Sequence, residues 1–160
     1  EANESGILGY QRGEKYNRAI LMNHAGIVAD VGRQMTEYDV RPPLPRLRTG
    51  AFSGGNQQKI VLGREMDKDP DILLVGQPTR GVDIGAIEFI HRRLVAMRDS
   101  GKAVLLVSVE LDEILSLSDR ILVMFNGEIV GEMTQSEATE QALGLMMAGE
   151  RQATRQETVL

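Results

Sequence analysis

Four short stretches hold residues whose type and spacing could do chemistry. The first, Ser53-Gly54-Gly55-Asn56-Gln57-Gln58-Lys59, opens a helix. A helix start leaves backbone N–H groups unpaired and carries partial positive charge. Two glycines let an anion approach that backbone and Ser53 adds a hydroxyl, so the turn can cradle a phosphate. Taken alone, Ser-Gly-Gly reads more simply as a serine N-cap after a glycine turn. The second stretch, Ile72-Leu73-Leu74-Val75-Gly76-Gln77-Pro78-Thr79, is a buried strand ending in a turn, and ligands of open α/β sheets sit beyond such strand ends. A nucleotide-hydrolysing site would place two acids there, one to hold Mg²⁺ and one to polarise the attacking water. This chain has Gly76 and Gln77, and neither is a carboxylate. The third, Thr79-Arg80-Gly81-Val82-Asp83, precedes a helix; Asp83 is its expected N-cap, with a second role at a domain contact left open. The fourth, Val107-Ser108-Val109-Glu110-Leu111, ends a second strand. A polar residue at 109 could touch a phosphate; valine cannot.

The remaining titratable residues carry weaker signals. His24 and His91 are far from each other and from any acid pair with metal spacing, so no metal site is expected. Glu110, Asp112 and Glu113 read as the acidic first turn of a helix, and Arg92, Arg93 and Arg98 as a solvated helix face. The eight methionines read as core filling. A net charge of -5 argues against nucleic acid as the main partner but says nothing about ATP, which needs local donors only. The absence of cysteine excludes a disulfide framework or a thiolate metal site and fits the cytosol. The apolar runs, such as Ile72 to Val75, are far short of the roughly 20 residues of a membrane span, and no signal peptide is visible. Glu1 in place of methionine points to a fragment or a processed chain.

Alternating elements position these stretches. Residues 1–50 read as mainly helical, with a helix over Met22 to Tyr38 and Pro42-Pro43-Leu44-Pro45 breaking the chain. Helices follow at 57–66, 84–98 and 110–116. Strands fall at 72–75, 103–107 and 120–125, the first two as buried apolar runs. Asn126-Gly127 predicts a hairpin into an edge strand at 128–133, and a closing helix spans 136–147 with Ser136 as its N-cap. The tail from 149 to 160 reads as frayed. Strand–helix alternation implies three parallel strands joined by right-handed crossovers. So small a sheet should lack something that flanks it.

Order and spacing then carry a resemblance. From Phe52 to about Met133 the chain resembles an ATP-binding-cassette domain. Phe52-Ser53-Gly54-Gly55-Asn56-Gln57-Gln58-Lys59 is similar to the family signature, Leu-Ser-Gly-Gly-Gln followed by glutamines and a basic residue. Strand 72–75 falls at the Walker B strand, Asp83 at the D-loop aspartate, and Val109 where the family usually has its switch histidine. Asp119-Arg120-Ile121, a hydrophobic strand and Asn126-Gly127 match as well. Asn-Gln-Gln-Lys after the glycines, and Pro-Thr-Arg-Gly-Val-Asp-Ile-Gly-Ala at 78–86, resemble the second cassette of bacterial sugar importers, which fuse two cassettes in one chain. Gln77-Pro78 and Ala86-Ile87-Glu88-Phe89-Ile90-His91 look closer to the nucleoside-importing branch.

The resemblance implies a partial α/β cassette: a helical subdomain over 1–50, the signature motif and a parallel-sheet core with flanking helices over 51–135, a C-terminal helix at 136–148 and a flexible tail at 149–160. The chain contains no Gly-x-x-x-x-Gly-Lys-Ser/Thr loop; the Walker A part would precede residue 1. Gly76 stands for the Walker B acid, Gln77 for the adjacent glutamate and Val109 for the histidine, so no catalytic position of this domain's own site is intact. The signature, by contrast, nearly is. Family cassettes meet head to tail, each ATP lying between one cassette's Walker motifs and the other's signature. This implies that Ser53, Gly54, Gly55, Asn56 and Gln57, with Asp83 of the D-loop, contact ATP held with Mg²⁺ by the first cassette of the same chain or by a dimer partner. The fragment by itself should bind no cofactor tightly and show no activity. Implied partners are transmembrane permease subunits and, indirectly, a solute-binding protein, at the cytoplasmic face of a bacterial membrane. Two alternatives stay open: a regulatory or structural cassette relative with no transport role, and an unrelated α/β binding domain with a chance serine-glycine turn.

Overall fold

A computed structural model describes residues 1–18 and 21–151. The chain falls into two compact units, residues 1–105 and residues 106 onward.

The first unit opens with a short helix α1 (Ala2–Gly6), followed by a two-residue antiparallel ladder of β1 (Asn17–Arg18) and β2 (Leu21–Met22). This ladder interrupts a region read as mainly helical, and it takes Met22 out of the helix expected there. Helix α2 (His24–Glu37) starts one residue later because Asn23 caps it, its Oδ1 accepting from the Gly26 N–H at 3.1 Å. Ile27, Val31, Gln34 and Met35 form its buried stripe. Helix α3 (Gly54–Met66) begins three residues before its expected start, since Ser53 is the cap and both glycines are already helical. It packs against α1, α2 and α4. At Gly63 an added Cβ would stand 3.2 Å from the Tyr38 ring, so the missing side chain lets that ring lie on the helix.

Asp30 ties this region together electrostatically. Its carboxylate accepts from Lys15 at 2.7 Å, the Tyr16 hydroxyl at 2.7 Å and Arg33 at 3.0 Å, and Arg33 also binds Asp67 at 2.8 Å. Burial pushes the Asp30 carboxyl up, but the hydrogen bonds from Lys15, Tyr16 and Arg33 outweigh it and hold it below the usual carboxylate range. The Tyr16 phenol is pushed up, first by burial and then by its bond to Asp30.

Strand β3 (Ile72–Gly76), helix α4 (Ile84–Asp99) and strand β4 (Ala103–Val107) follow, with β3 and β4 paired in a small parallel sheet. Ala86, Ile90 and Leu94 are the buried stripe of α4, which stops where Gly101 turns left-handed at φ +88°. The apolar runs of β3 and β4 predicted buried strands. Leu73 and Val75 are buried, while Ile72 and Leu74 are 73% and 69% exposed, as is Leu105 at 56%. Apolar side chains of both strands therefore lie exposed.

The second unit holds helix α5 (Leu111–Leu117), strands β5 (Arg120–Phe125) and β6 (Glu128–Thr134), and helix α6 (Glu140–Met147). Asn126 (φ +46°) and Gly127 (φ +81°) form the two-residue turn that the Asn-Gly pair predicts. The register runs from Phe125 opposite Glu128 to Arg120 opposite Thr134, with an irregularity at Val123/Met124. β5 pairs with β6 in an antiparallel hairpin. The core is Ile121, Val123, Val130, Met133, Leu143 and Met146. Met35, Met66, Met133 and Met146 are buried, but Met124 is not.

α6 is shorter than expected at its start. Thr139, not Ser136, caps it by accepting from the Ala142 N–H at 3.1 Å. Residues 135–138 are held in a turn instead, where Glu137 accepts from the Thr134 N–H at 3.1 Å and its hydroxyl at 2.9 Å. Gly149 (φ +103°) closes α6 rather than opening a tail, with the Glu150 N–H reaching back to Leu145 O at 3.1 Å. The rest of the expected tail, from 152, lies outside the described residues.

Candidate phosphate-binding turn at the start of helix α3

The start of α3 meets the start of α4. Ser53 and Gly54 are exposed, whereas Gly55 is buried. A Cβ on Gly55 would stand 3.0 Å from Asp83 Oδ2 and 3.1 Å from Ala86 Cβ; one on Gly54 would stand 3.3 Å from Gly81 O. The glycine turn and the Gly81–Ala86 segment are therefore in contact. Gly81 is left-handed (φ +72°), which lets the chain swing into the cap residue. Asp83 caps α4 as the sequence predicts, accepting from the Ala86 N–H at 2.9 Å. Sequence places Gly81 and Ala86 within motifs but assigns neither a role of its own. The signal available was their place beside Asp83.

Side chains of α3 reach into the loop after α2. Asn56 Oδ1 accepts from the Arg41 N–H at 2.9 Å, and its Nδ2 donates to Arg41 O and to Ser53 Oγ, both at 3.0 Å. One turn on, Lys59 donates to Asp39 O at 3.0 Å and Asp39 Oδ2 at 3.3 Å, with its ammonium 4.9 Å from the Phe89 ring centre. Arg41 Nε donates to Asp39 Oδ1 at 2.7 Å. These bonds, Arg41's first and Lys59's after it, hold the Asp39 carboxyl below its usual range. Gln57 donates to Phe52 O at 2.8 Å. Nothing in the sequence signals that Asn56 and Arg41, fifteen positions apart across a proline loop, bind each other.

As the first helical residues, Gly54 and Gly55 have no intrahelical acceptor for their N–H groups. With the exposed Ser53 hydroxyl beside it, the Gly54 end of this 13-residue helix offers an anion hydrogen-bond donors and the positive end of the helix dipole.

The end of β3 offers no comparable chemistry. Gly76 is exposed, and an added Cβ there would meet nothing within 4 Å. Gln77 is left-handed (φ +51°) and begins the turn over the buried Pro78 and Thr79. Neither position carries a carboxylate. Val109 is exposed in the second unit. Among the described residues, no group of three or more His, Asp or Glu side chains is placed to hold a metal ion, and no helix is long and apolar enough to cross a membrane.

Comparison with solved structures identifies the fold. MJ1267, an ATP-binding cassette of an ABC transporter, aligns with a TM-score of 0.70 at 21% identity, over 92% of this chain and 60% of that one. The dimeric cassette MJ0796, from a bacterial ABC transporter, aligns with a TM-score of 0.61 at 20% identity, over 84% of this chain and 54% of that one. With this fold and the sequence relatives that follow, the chain belongs to the ATP-binding-cassette family and is part of a nucleotide-binding domain.

Its sequence relatives are more specific. It is 55% identical over 135 residues to the guanosine import ATP-binding protein NupO of Bacillus subtilis, covering 84% of this chain and 26% of that protein. The nucleoside import ATP-binding protein NupA of Lactococcus lactis is 53% identical over 115 residues, 72% of this chain and 23% of that protein. The xylose import ATP-binding protein XylG of Moorella thermoacetica is 40% identical over 124 residues, 78% of this chain and 25% of that protein. The chain thus spans about a quarter of the length of these relatives. No family model matches it.

Proposed function

We propose that this chain is the signature-bearing half of a cassette in the ATP-binding subunit of a nucleoside or sugar importer, and that it completes an ATP site held by another cassette. The observation that carries the reading is an asymmetry within one unit. The α3 start presents the exposed Ser53 hydroxyl and the backbone of the exposed Gly54, while the β3 end carries Gly76 and Gln77 and no acid. The relatives' names point to import of nucleosides first and sugars second.

Under this reading the partner cassette, in the same chain or in a dimer, holds ATP and Mg²⁺. The signature turn from Ser53 to Gln57 closes over the γ-phosphate. Ser53 donates its hydroxyl hydrogen and the glycines donate backbone N–H groups. Such donors, fixed in place before charge develops, need no reorganisation at the moment of reaction. Asp83 holds the start of α4 against Gly55 and so sets the angle of the turn. The cassette's own site is non-hydrolytic. Substrate passes through membrane permease subunits fed by a solute-binding protein, and this subunit works peripherally on the cytoplasmic face.

The test is Ser53→Arg in the full-length protein. The bulk fills the approach to the Gly54 backbone, and ATP hydrolysis falls by about 10²–10³-fold, the usual loss on removing one such donor. Unchanged hydrolysis would overturn the half-site reading.

A further inference from the structure

We propose that Asn56 is a positioning residue that fixes the polarity of the Ser53 hydroxyl and locks the signature turn to the 39–41 segment, without touching nucleotide itself. The proposal rests on the half-site reading and changes the part played by this side chain in it.

The argument is a count of hydrogen-bonding capacity. An asparagine amide has two N–H donors and one carbonyl oxygen. In Asn56 the Nδ2 donors go to Arg41 O and Ser53 Oγ, and Oδ1 takes the Arg41 N–H. What remains is an acceptor lone pair, which repels a phosphate oxygen. Asn56 could reach a phosphate only by releasing Arg41 or Ser53.

The same bonds decide what Ser53 can do. Its Oγ accepts from Asn56 Nδ2 at 3.0 Å and from the Asn56 backbone N–H at 3.4 Å. A hydroxyl has two acceptor lone pairs and one O–H. With both lone pairs occupied on the α3 side, its hydrogen is left for an outside acceptor, which is the polarity a phosphate oxygen needs. The lock is reinforced at Lys59, which holds Asp39 from the same helix one turn later.

The experiment is a double-mutant cycle on ATP turnover in the full-length protein, using Asn56→Ala, Ser53→Ala and the pair. Each single change lowers kcat by about tenfold, the loss of one hydrogen bond to a charged group. The pair costs no more than the larger single change, because Asn56 acts through Ser53. Multiplied effects, or an Asn56→Ala that leaves kcat unchanged, would overturn the proposal.

Amide hydrogen exchange supplies a readout free of turnover. Asn56→Ala removes the acceptor of the Arg41 N–H, and that amide exchanges faster. Asn56→Asp keeps the acceptor and keeps Arg41 protected. Its carboxylate, however, draws the Ser53 hydroxyl hydrogen inward, so kcat falls. An Arg41 amide unaffected by Asn56→Ala refutes the lock even if the half-site reading stands. Hydrolysis unaffected by Ser53→Arg refutes the half-site reading while leaving the exchange result intact.

Discussion

Gly55→Ala tests whether the signature glycines are there for the ligand or for the fold. The new Cβ would stand 3.0 Å from Asp83 Oδ2 and 3.1 Å from Ala86 Cβ, inside the 3.5–4.0 Å or so at which carbon contacts are favourable. Neither neighbour yields easily. Asp83 is committed through Oδ1 to the Ala86 N–H at 2.9 Å, a cap worth about 1 kcal/mol, and Ala86 Cβ moves only with the backbone of α4. Overpacking of this kind costs about 1–3 kcal/mol. Alanine's helix advantage over glycine, about 1 kcal/mol in a helix interior and less in the first turn, offsets part of it. The net loss is about 1–2 kcal/mol. Gly54→Ala meets only Gly81 O at 3.3 Å, so the two effects cancel to about zero. Urea unfolding of both variants, compared by midpoint at constant slope, reads the difference. Adding Asp83→Ala to Gly55→Ala should recover part of the loss beyond additivity, since it removes the closest contact. If Gly55→Ala unfolds at the same urea concentration as Gly54→Ala, the packing argument is wrong.

Three further outcomes follow from other parts of the molecule. Gly76→Asp enters open space, so its thermal midpoint should stay within the range of a neutral surface change, about 0.5 kcal/mol; ATP turnover should not rise, because Gln77 and Val109 remain and such groups act as a unit. Asp30 has a depressed carboxyl in the folded state, so its contribution is present above about pH 4 and is lost as pH falls through the lower folded value. Asp30→Asn should therefore cost about 1–3 kcal/mol at pH 7 and progressively less below about pH 4, read by denaturant titration across pH; a constant penalty down to pH 2 would contradict that assignment. The open apolar face of β3 and β4 should make the isolated 160-residue chain self-associate, and Leu74→Glu should shift its sedimentation toward monomer.

Local chemistry was legible in the sequence; pairing and burial were less so. Ser53 and Asp83 as caps, the Asn126-Gly127 turn and the limits of β4 and β5 follow from signals within a few residues, and the structure has them. The α6 start was misread because Ser136 and Thr139 are equivalent by type; the Thr134–Glu137 bonds that occupy the first are tertiary detail. The ladder at Asn17–Met22 is two residues per strand, too short to show periodicity. β3 and β4 were read as buried strands, yet a continuous apolar run does not say which cover is present. At the signature turn, sequence marked the residues but not their bonds. Asn56 and Gln57 looked like ligand contacts, and both side chains are engaged within the chain.

Glycines alone therefore carry less functional weight here than their place in a motif suggests, and the structure sorts them. Gly55 is required by the contact with Asp83 and Ala86, so its presence would be needed even if no phosphate ever approached. Gly54 is exposed with a single neighbour at 3.3 Å, so packing demands a glycine there less than at Gly55. Gly76 has no neighbour within 4 Å, and an acid would fit without rearrangement. Its glycine is not imposed by packing, and the missing carboxylate is a chemical difference rather than a steric necessity. The fold tolerates an acid at 76 and does not have one, while it keeps Ser53 and Gly54 exposed together. That pairing of a strand end without acids and an exposed turn is what the proposed role at another cassette's nucleotide calls for.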